Sequence, residues 1–344
     1  MRPLLTCLAA LAIATPAIAQ GPATPAPVTL LAYSGIFRDN YSEVVTAPFG
    51  PVQYAEAVTS AQMLGTLRAQ RADPQVDVVI MDVTVAAQAC AEGLVEPLNA
   101  ADFPVFAELD PMARSAGGAC GPGVLYDHLV MVYDTRSISP APAGLAAMWD
   151  PAQRGRVALA APPNIQGLAL TAILAHSLSG DWRNINPAIA RLRELAPAVQ
   201  TFNPNPDGYT LILNDQVRLA TGWNARAQLY ADQSQGRIGV VLPAEGTVFQ
   251  VNTINIVANA KNRAGAARFV THALSAGPQA AFTERMYYGP TNANAQVAPA
   301  ALARTALAPE SRARVIPLDW AQMIPLREAW NQRWRREVVA ASSR

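Results

Sequence analysis

Four short apolar runs constrain the fold of this chain most, because each leads directly into a helix-period segment. The runs cover residues 28–32, 76–81, 157–161 and 217–221. The corners that follow them are Tyr33-Ser34-Gly35, Asp82-Val83-Thr84, Pro162-Pro163-Asn164 and Gly222-Trp223-Asn224. Alternating strands and helices predict parallel sheets with right-handed crossovers. Ligands bind such sheets beyond the carboxyl ends of the strands, where helix N-termini offer free N–H groups. The pattern therefore predicts an α/β fold that captures a small solute.

The N-terminus has the pattern of a secretory signal peptide over residues 1–19. Arg2 supplies the positive charge, residues 4–14 form an apolar stretch, and Ala17-Ile18-Ala19 is a small-x-small cleavage site. The apolar stretch is too short to span a bilayer. Residues 20–27, rich in proline and alanine, are predicted to form a tether. We expect an exported, periplasmic protein.

The rest of the chain is long enough for two domains of ordinary size. Further strands are predicted at 52–55, 129–133, 238–242 and 253–258. Helices are predicted at 37–49, 61–70, 85–92, 165–178, 188–195, 225–231, 263–274 and 326–339. A second α/β set therefore begins near residue 129.

The charge balance and the missing motifs exclude several classes of function. The chain has 26 lysines and arginines and 25 aspartates and glutamates, so no strong field attracts nucleic acid or anionic lipid. His128, His176 and His272 share no metal-ligand spacing, and the sequence has no serine-nucleophile, phosphate-loop or dinucleotide motif. We predict no catalysis, no metal and no cofactor, and no nucleic-acid partner.

Two cysteines remain after removal of the predicted leader, Cys90 and Cys120. An even count in an oxidising compartment predicts one disulfide, closing a loop of roughly 30 residues and contributing about 3 kcal/mol. Two buried free thiols are the alternative. The spacing is not the C-x-x-C of a redox or metal site.

Five segments carry a family pattern: "SAQMLGTLRAQRADPQVDVVIMDVTVAAQACAEGLVEPLNA", "MWDPAQRGRVALAAP", "VRLATGWNARAQ", "VVLPAEGTVFQVNTINIVANAKN" and "MYYGPTNANA". In this order they resemble the periplasmic solute-binding proteins of ABC importers, in particular the branch that contains the spermidine/putrescine-binding proteins. The resemblance implies two α/β lobes, each a mostly parallel sheet flanked by helices, with the ligand in the cleft between them. Its expected partners are a small-molecule solute and the membrane permease of an ABC importer, and we expect a monomer.

The resemblance also implies where the chain divides. Lobe one would take residues 28–128 plus 253–300, and lobe two residues 129–252 plus 301–344. Crossing segments near 127–131 and 249–253 would act as the hinge.

Several cleft positions depart from the polyamine-binding pattern. Ala161 and Asn164 stand where those proteins carry an Asp and a Glu, and Asn252 stands where they carry a hinge Asp. A polyamine would leave ammonium groups unpaired here, at a cost of roughly several kcal/mol. Arg226, three residues after Trp223, can instead bind a carboxylate or phosphonate with its planar fork of N–H donors. We predict a zwitterion or organic anion, such as an amino acid-like or aminophosphonate compound, with a polyamine as the alternative.

The other candidates lie at these corners or at positions that the resemblance implies. Trp223 and Tyr288 match aromatic positions of the family, and Asp82 could pair a single ammonium group. The predicted ligand-binding residues are Ser34, Gly35, Phe37, Asp82, Thr84, Asn164, Trp223, Arg226, Asn252 and Tyr288.

Each candidate also has an ordinary structural explanation. Asp82 and Asn164 could simply cap helices. Arg226 could pair with a surface acid, Trp223 could pack between the lobes, and Asn252 could be a turn residue.

Other functions remain open from the sequence alone. A secreted hydrolase or a sensory receptor could use the same fold. Ferric-ion binders in related families use paired tyrosines, and Tyr287-Tyr288 is such a pair, but the sequence offers no further oxygen ligands for it.

Overall fold

A computed structural model describes residues 26–342 of the chain. The predicted signal peptide at 1–19, most of the predicted tether and Cys7 lie outside the described residues, as do Ser343 and Arg344. Within the described range, every helix is too short or too polar to cross a bilayer.

The strands alternate with helices along the chain, as the apolar runs predict. The strands are β1 Val28–Tyr33, β2 Val52–Ala57, β3 Val78–Asp82, β4 Gly123–Asp134, β5 Val157–Ala158, β6 Val199–Thr201, β7 Leu219–Trp223, β8 Ile238–Val241, β9 Phe249–Ile256 and β10 Gly289–Pro290. The α-helices are α1 Ile36–Tyr41, α2 Ala47–Phe49, α3 Ser60–Ala69, α4 Val83–Ala91, α5 Pro111–Ser115, α6 Ile165–Ser179, α7 Asn186–Leu195, α8 Gly208–Leu213, α9 Asn224–Gln233, α10 Arg263–Leu274, α11 Ala276–Met286, α12 Pro299–Leu302, α13 Pro309–Ala313, α14 Trp320–Met323 and α15 Arg327–Arg333.

The strands form one continuous sheet with the order β2-β1-β3-β9-β4-β7-β5-β6, and β8 and β10 also pair with β4. The pairs β1–β2, β1–β3, β5–β6 and β5–β7 are parallel, as expected for strands joined by helical crossovers. β9 is antiparallel to both of its neighbours, because it carries the chain back from one half of the sheet to the other. The predicted α/β architecture is confirmed, with an antiparallel centre that the strand pattern did not predict.

Strand β4 joins the two halves of the sheet. All 12 of its residues are buried. From Gly123 to His128 the strand pairs with β9, and from Leu129 to Tyr133 it pairs with β7. The change of partner between His128 and Leu129 falls inside the segment 127–131 that the family resemblance implies as a crossing.

The C-terminal residues dock on the second half of the sheet. The predicted helix 326–339 begins at Arg327 as α15 and continues as a π-helical turn over Trp334–Val338. Trp334 is fully buried, and its indole N–H donates to Thr171 Oγ1 at 2.7 Å. The indole of Trp320 donates to the carbonyl of Phe249 at 2.6 Å, which ties this segment to the start of β9.

The predicted disulfide between Cys90 and Cys120 is present, with the two Cα atoms 5.8 Å apart and a sequence separation of 30. Cys90 lies in the last turn of α4, and Cys120 is buried in the segment that leads into β4. The bond therefore fastens the helix that follows β3 to the entrance of the crossing strand.

We expect the double change C90S/C120S to lower the free energy of unfolding by about 3 kcal/mol, because the unfolded chain loses its closed loop. Urea denaturation of the oxidised protein and of the variant measures the difference. A reducing agent should shift the wild type toward the variant and leave the variant unchanged. Equal stability of the reduced and oxidised wild type would contradict this expectation.

Candidate ligand-binding cavity

A cavity of about 250 Å³ lies where the carboxyl ends of β1, β3 and β7 face the loop that follows β5. It forms at the place that the strand–helix corners predict for a ligand. Six of the ten predicted ligand-binding residues line it: Asp82, Asn164, Trp223, Arg226, Asn252 and Tyr288.

The other four predicted residues lie outside the cavity lining. Phe37 is fully buried, with its ring edge-on to that of Tyr288 at 5.7 Å, so it supports a lining residue from behind. Thr84 is buried, and its hydroxyl donates to Asp82 Oδ1 at 2.6 Å. Both side chains therefore reach the cavity only through a neighbour.

Ser34 and Gly35 form the turn between β1 and α1. The backbone N–H of Ser34 donates to the carbonyl of Ala57 at 3.0 Å, which extends the β1–β2 ladder. Gly35 is exposed with φ of 65°, a conformation that favours glycine. The backbone geometry of this turn therefore explains why Ser34 and Gly35 stand here, without a ligand contact.

Asp82 caps a helix and also faces the cavity. Its Oδ1 accepts hydrogen bonds from the backbone N–H groups of Thr84 and Val85, both at 3.1 Å, besides the Thr84 hydroxyl. Its Oδ2 accepts none from the described residues, so one carboxylate oxygen remains available to a ligand. Capping and ligand contact are therefore compatible at this position.

Tyr33, which belongs to the first corner but is not among the predicted ligand-binding residues, organises the floor of the cavity. Its hydroxyl donates to Asn252 Oδ1 at 2.8 Å and lies 2.8 Å from Ser60 Oγ. Ser60 Oγ in turn accepts the backbone N–H of Asp82 at 2.9 Å. Burial, together with the charge of Asp82, raises the pKa of Tyr33, so its hydroxyl stays protonated. The network fixes the side chain of Asn252 at the carboxyl end of β3, where Asn252 pairs with Asp82.

Gly222 explains how Trp223 is held at the end of β7. A Cβ at Gly222 would lie 2.5 Å from the hydroxyl of Tyr209, so only glycine leaves room for that ring. The Tyr209 hydroxyl accepts the backbone N–H of Trp223 at 2.6 Å and donates to its carbonyl at 2.8 Å. Tyr209 also lines the cavity. Gly222 and the backbone of Trp223 therefore position the side chains of both Tyr209 and Trp223.

Arg226 brings a positive charge into the cavity from the first turn of α9. It is half-buried, and its guanidinium carbon lies 6.0 Å from the centre of the Tyr33 ring. Burial alone would lower the pKa of Arg226, but Tyr288, Tyr209 and Asp207 raise it, and the net shift is upward. No carboxylate among residues 26–342 lies within ion-pairing distance of it. The cation thus lies beside tyrosine side chains and has no carboxylate partner within the described residues.

Two further charged residues line the cavity, and sequence reasoning missed both. Asp207 caps α8 by accepting the N–H of Thr210 at 2.7 Å, and its Oδ2 accepts the hydroxyl of Tyr230 at 3.3 Å. Arg327 donates to the carbonyl of Pro163 at 3.3 Å. Both come from elements whose place at the cavity depends on tertiary packing. With Asp82 and Arg226 they give the lining two charges of each sign.

The pair Tyr287-Tyr288 does not form one site. Tyr288 lines the cavity, whereas the hydroxyl of Tyr287 donates to Asp232 Oδ2 at 2.7 Å outside it. Across residues 26–342, no group of three or more histidine, cysteine, aspartate or glutamate side chains is arranged to hold a metal ion. The lining offers hydrogen-bond donors, aromatic faces and opposite charges, which are the means to bind and orient a small polar molecule.

Comparison with known proteins agrees with this geometry. The sequence profile of the family described as bacterial extracellular solute-binding protein matches residues 50–310. The spermidine/putrescine-binding periplasmic protein of Escherichia coli is 26% identical over 306 residues, which cover 85% of this chain and 81% of that protein. The gamma-aminobutyric acid-binding protein of Pseudomonas aeruginosa is 26% identical over 230 residues, which cover 63% of this chain and 62% of that protein. This chain thus spans less than two thirds of the second relative.

A solved structure has the same fold. The periplasmic binding protein MotA from A. tumefaciens B6, in complex with glucopine, superposes with a TM-score of 0.77 at 18% identity. The alignment covers 92% of this chain and 100% of the MotA chain. The likeness confirms the two-lobed fold of periplasmic binding proteins. Since the family profile also spans most of the chain, this protein belongs to the bacterial extracellular solute-binding proteins.

Proposed function

We propose that this protein captures a small zwitterion or organic anion in the cavity and delivers it to the membrane permease of an ABC importer. Arg226 carries the proposal: it is a half-buried cation with no carboxylate at ion-pairing distance in the described chain. A partly desolvated guanidinium gains from a charged acceptor, and its fork of N–H donors fits a carboxylate or phosphonate. The acidic group of the solute would fill that place.

The opposite charge in the cavity favours a zwitterion over a simple anion. Asp82 Oδ2 accepts no hydrogen bond from the described residues and faces the same cavity as Arg226. A solute with an acidic group at Arg226 and an ammonium group at Asp82 would pair both charges. The P. aeruginosa relative is named for gamma-aminobutyric acid, a molecule with these two groups.

A polyamine is the second candidate, supported by one observation: two carboxylates, Asp82 and Asp207, line the cavity. The E. coli relative is named for spermidine and putrescine. Against this, Asp207 already accepts bonds from Thr210 and Tyr230. An ammonium group about 5 Å from Arg226 would be repelled by on the order of 3 kcal/mol at an effective dielectric near 20.

Three four-carbon solutes separate the candidates, because they differ only in their end groups: γ-aminobutyrate, succinate and putrescine. We expect calorimetry to find tighter binding of the acid-bearing solutes than of putrescine. Arg226→Ala should weaken their binding by about 2 kcal/mol, roughly thirtyfold, through loss of a charge-assisted hydrogen bond. Aminophosphonates and amino acids extend the panel.

Two matched variants control this experiment. Arg327→Ala removes a lining arginine that is bonded to Pro163, and it should change binding much less. Asn252→Asp places an acid beside Asp82, and it should weaken acidic solutes and strengthen putrescine. Tight binding of putrescine or spermidine by the wild type, unaffected or weakened by Arg226→Ala, would overturn the choice of a zwitterion and leave transport intact.

We further propose that the protein acts in the periplasm as a monomer, without catalysis and without a nucleic-acid partner. The lobes would be residues 28–128 plus 253–300 and residues 129–252 plus 301–344, with the hinge near 127–131 and 249–253. The change of partner along β4 supports this division. The cavity draws its lining from both proposed lobes, as in Asp82 and Trp223, so a solute would bridge them.

If the lobes close on the solute, the radius of gyration should fall when that solute is added. Small-angle scattering with the tightest-binding member of the panel, at saturation, measures the change. Arg226→Ala at the same solute concentration should compact less, since it binds less. An unchanged radius at saturation would contradict closure.

A further inference from the structure

Asp127 connects the crossing strand to the helix that presents Arg226. It lies in β4, opposite Gln250 of β9, two residues before β4 begins to pair with β7. Its Oδ1 accepts the backbone N–H of Ala225 at 3.0 Å, in the first turn of α9. The N-cap residue of α9, Trp223, makes no capping bond with its own side chain. Asp127 therefore supplies from another strand the cap that this helix lacks.

The second oxygen of this carboxyl group has no hydrogen-bond partner among residues 26–342. Asp127 is fully buried, and its Oδ2 makes no hydrogen bond within the described chain. Its Oδ1 also accepts the N–H of the adjacent His128 at 2.8 Å. In the ionised carboxylate only one of the two oxygens accepts hydrogen bonds. Its protonation equilibrium is therefore sensitive to any charge placed nearby.

We propose that Asp127 is a positioning residue for Arg226, and that its buried carboxyl group takes up a proton when an acidic solute binds there. This inference rests on the proposed function. The carboxylate fixes the first turn of α9 and thereby the guanidinium that follows Ala225. When the solute brings a negative charge to Arg226, the attraction between Arg226 and Asp127 is offset, and the protonated form of Asp127 becomes favoured.

The groups that interact with Asp127 leave it as the one that titrates near neutral pH. Burial raises the pKa of Asp127 to about 7, against the opposing effects of the Ala225 and His128 N–H groups and of Arg226. Burial lowers the pKa of His128 to about 3, so that ring is uncharged above this. Tyr209 and Tyr288, which also interact with Asp127, have pKa values raised by burial and stay neutral.

Calorimetry with γ-aminobutyrate, and with each acid-bearing solute of the panel that binds, tests the proton uptake. Titrations at pH 7 in phosphate and in Tris, whose heats of ionisation differ, give the number of protons taken up. We expect up to about half a proton in the wild type, and affinity that rises about threefold from pH 8 to pH 6. Putrescine, a cation, should show the opposite sign.

Two substitutions separate positioning from protonation. Asp127→Asn keeps an oxygen that can cap α9 but cannot ionise, so affinity at pH 6 should persist while the proton uptake and the pH dependence disappear. Asp127→Ala removes the cap as well, so affinity should fall about fivefold at every pH. Asp150→Ala, which removes a surface cap bonded to Ala152 at 2.8 Å, is the control and should change neither property.

Unfolding without solute keeps the inference testable even if no acidic solute binds. The folded protein retains the Asp127 proton between pH 3.8 and about 7, where the unfolded chain has released it, so this group makes stability fall as pH rises through that window. Asp127→Asn should flatten that part of the profile. An acidic solute that binds Asp127→Asn with the proton uptake of the wild type would overturn this inference alone. An unchanged stability profile would overturn it as well, whereas failure of every acidic solute to bind would overturn the proposed function.

Discussion

The backbone ladder of β4 is the interaction on which the rest of the structure depends. This one strand supplies hydrogen bonds to β9 and β10 in the first half of the sheet and to β7 and β8 in the second. Because its 12 residues are buried throughout, its polar backbone groups must be paired inside the sheet. The cavity draws residues from both sides of the point where the strand exchanges partners, so β4 connects the elements that form its walls.

The cavity shows how a fold can hold a half-buried cation without a carboxylate partner among the described residues. Arg226 interacts electrostatically with Tyr288, Tyr209 and Tyr33, and burial keeps the hydroxyls of Tyr33 and Tyr288 protonated. Neutral tyrosines do not cancel the charge of the guanidinium, whereas a carboxylate in contact with it would. Asp207 is near enough to raise the pKa of Arg226, yet its oxygens are bonded to Thr210 and Tyr230. The charge is therefore stabilised while remaining available.

The sequence predicted the features that depend on residues close together in the chain. Strand periodicity located the corners, and the corners located the cavity and residues such as Asp82 and Trp223. Asp127 and Tyr33 were missed because their roles arise between elements distant in sequence: one caps a helix about a hundred residues away, and the other bonds Asn252 across the sheet. Phe37 was predicted to bind the ligand, but its side chain is buried in the core, four positions after the lining residue Tyr33.

The insertion of β9 between β3 and β4 also orders events during synthesis. The first half of the sheet lacks its central strand until the ribosome has passed Ile256, and the second half lacks Trp334, buried against Phe202 and Thr171, until the chain is nearly finished. Residues that complete each native core are therefore synthesised long after the strands against which they pack.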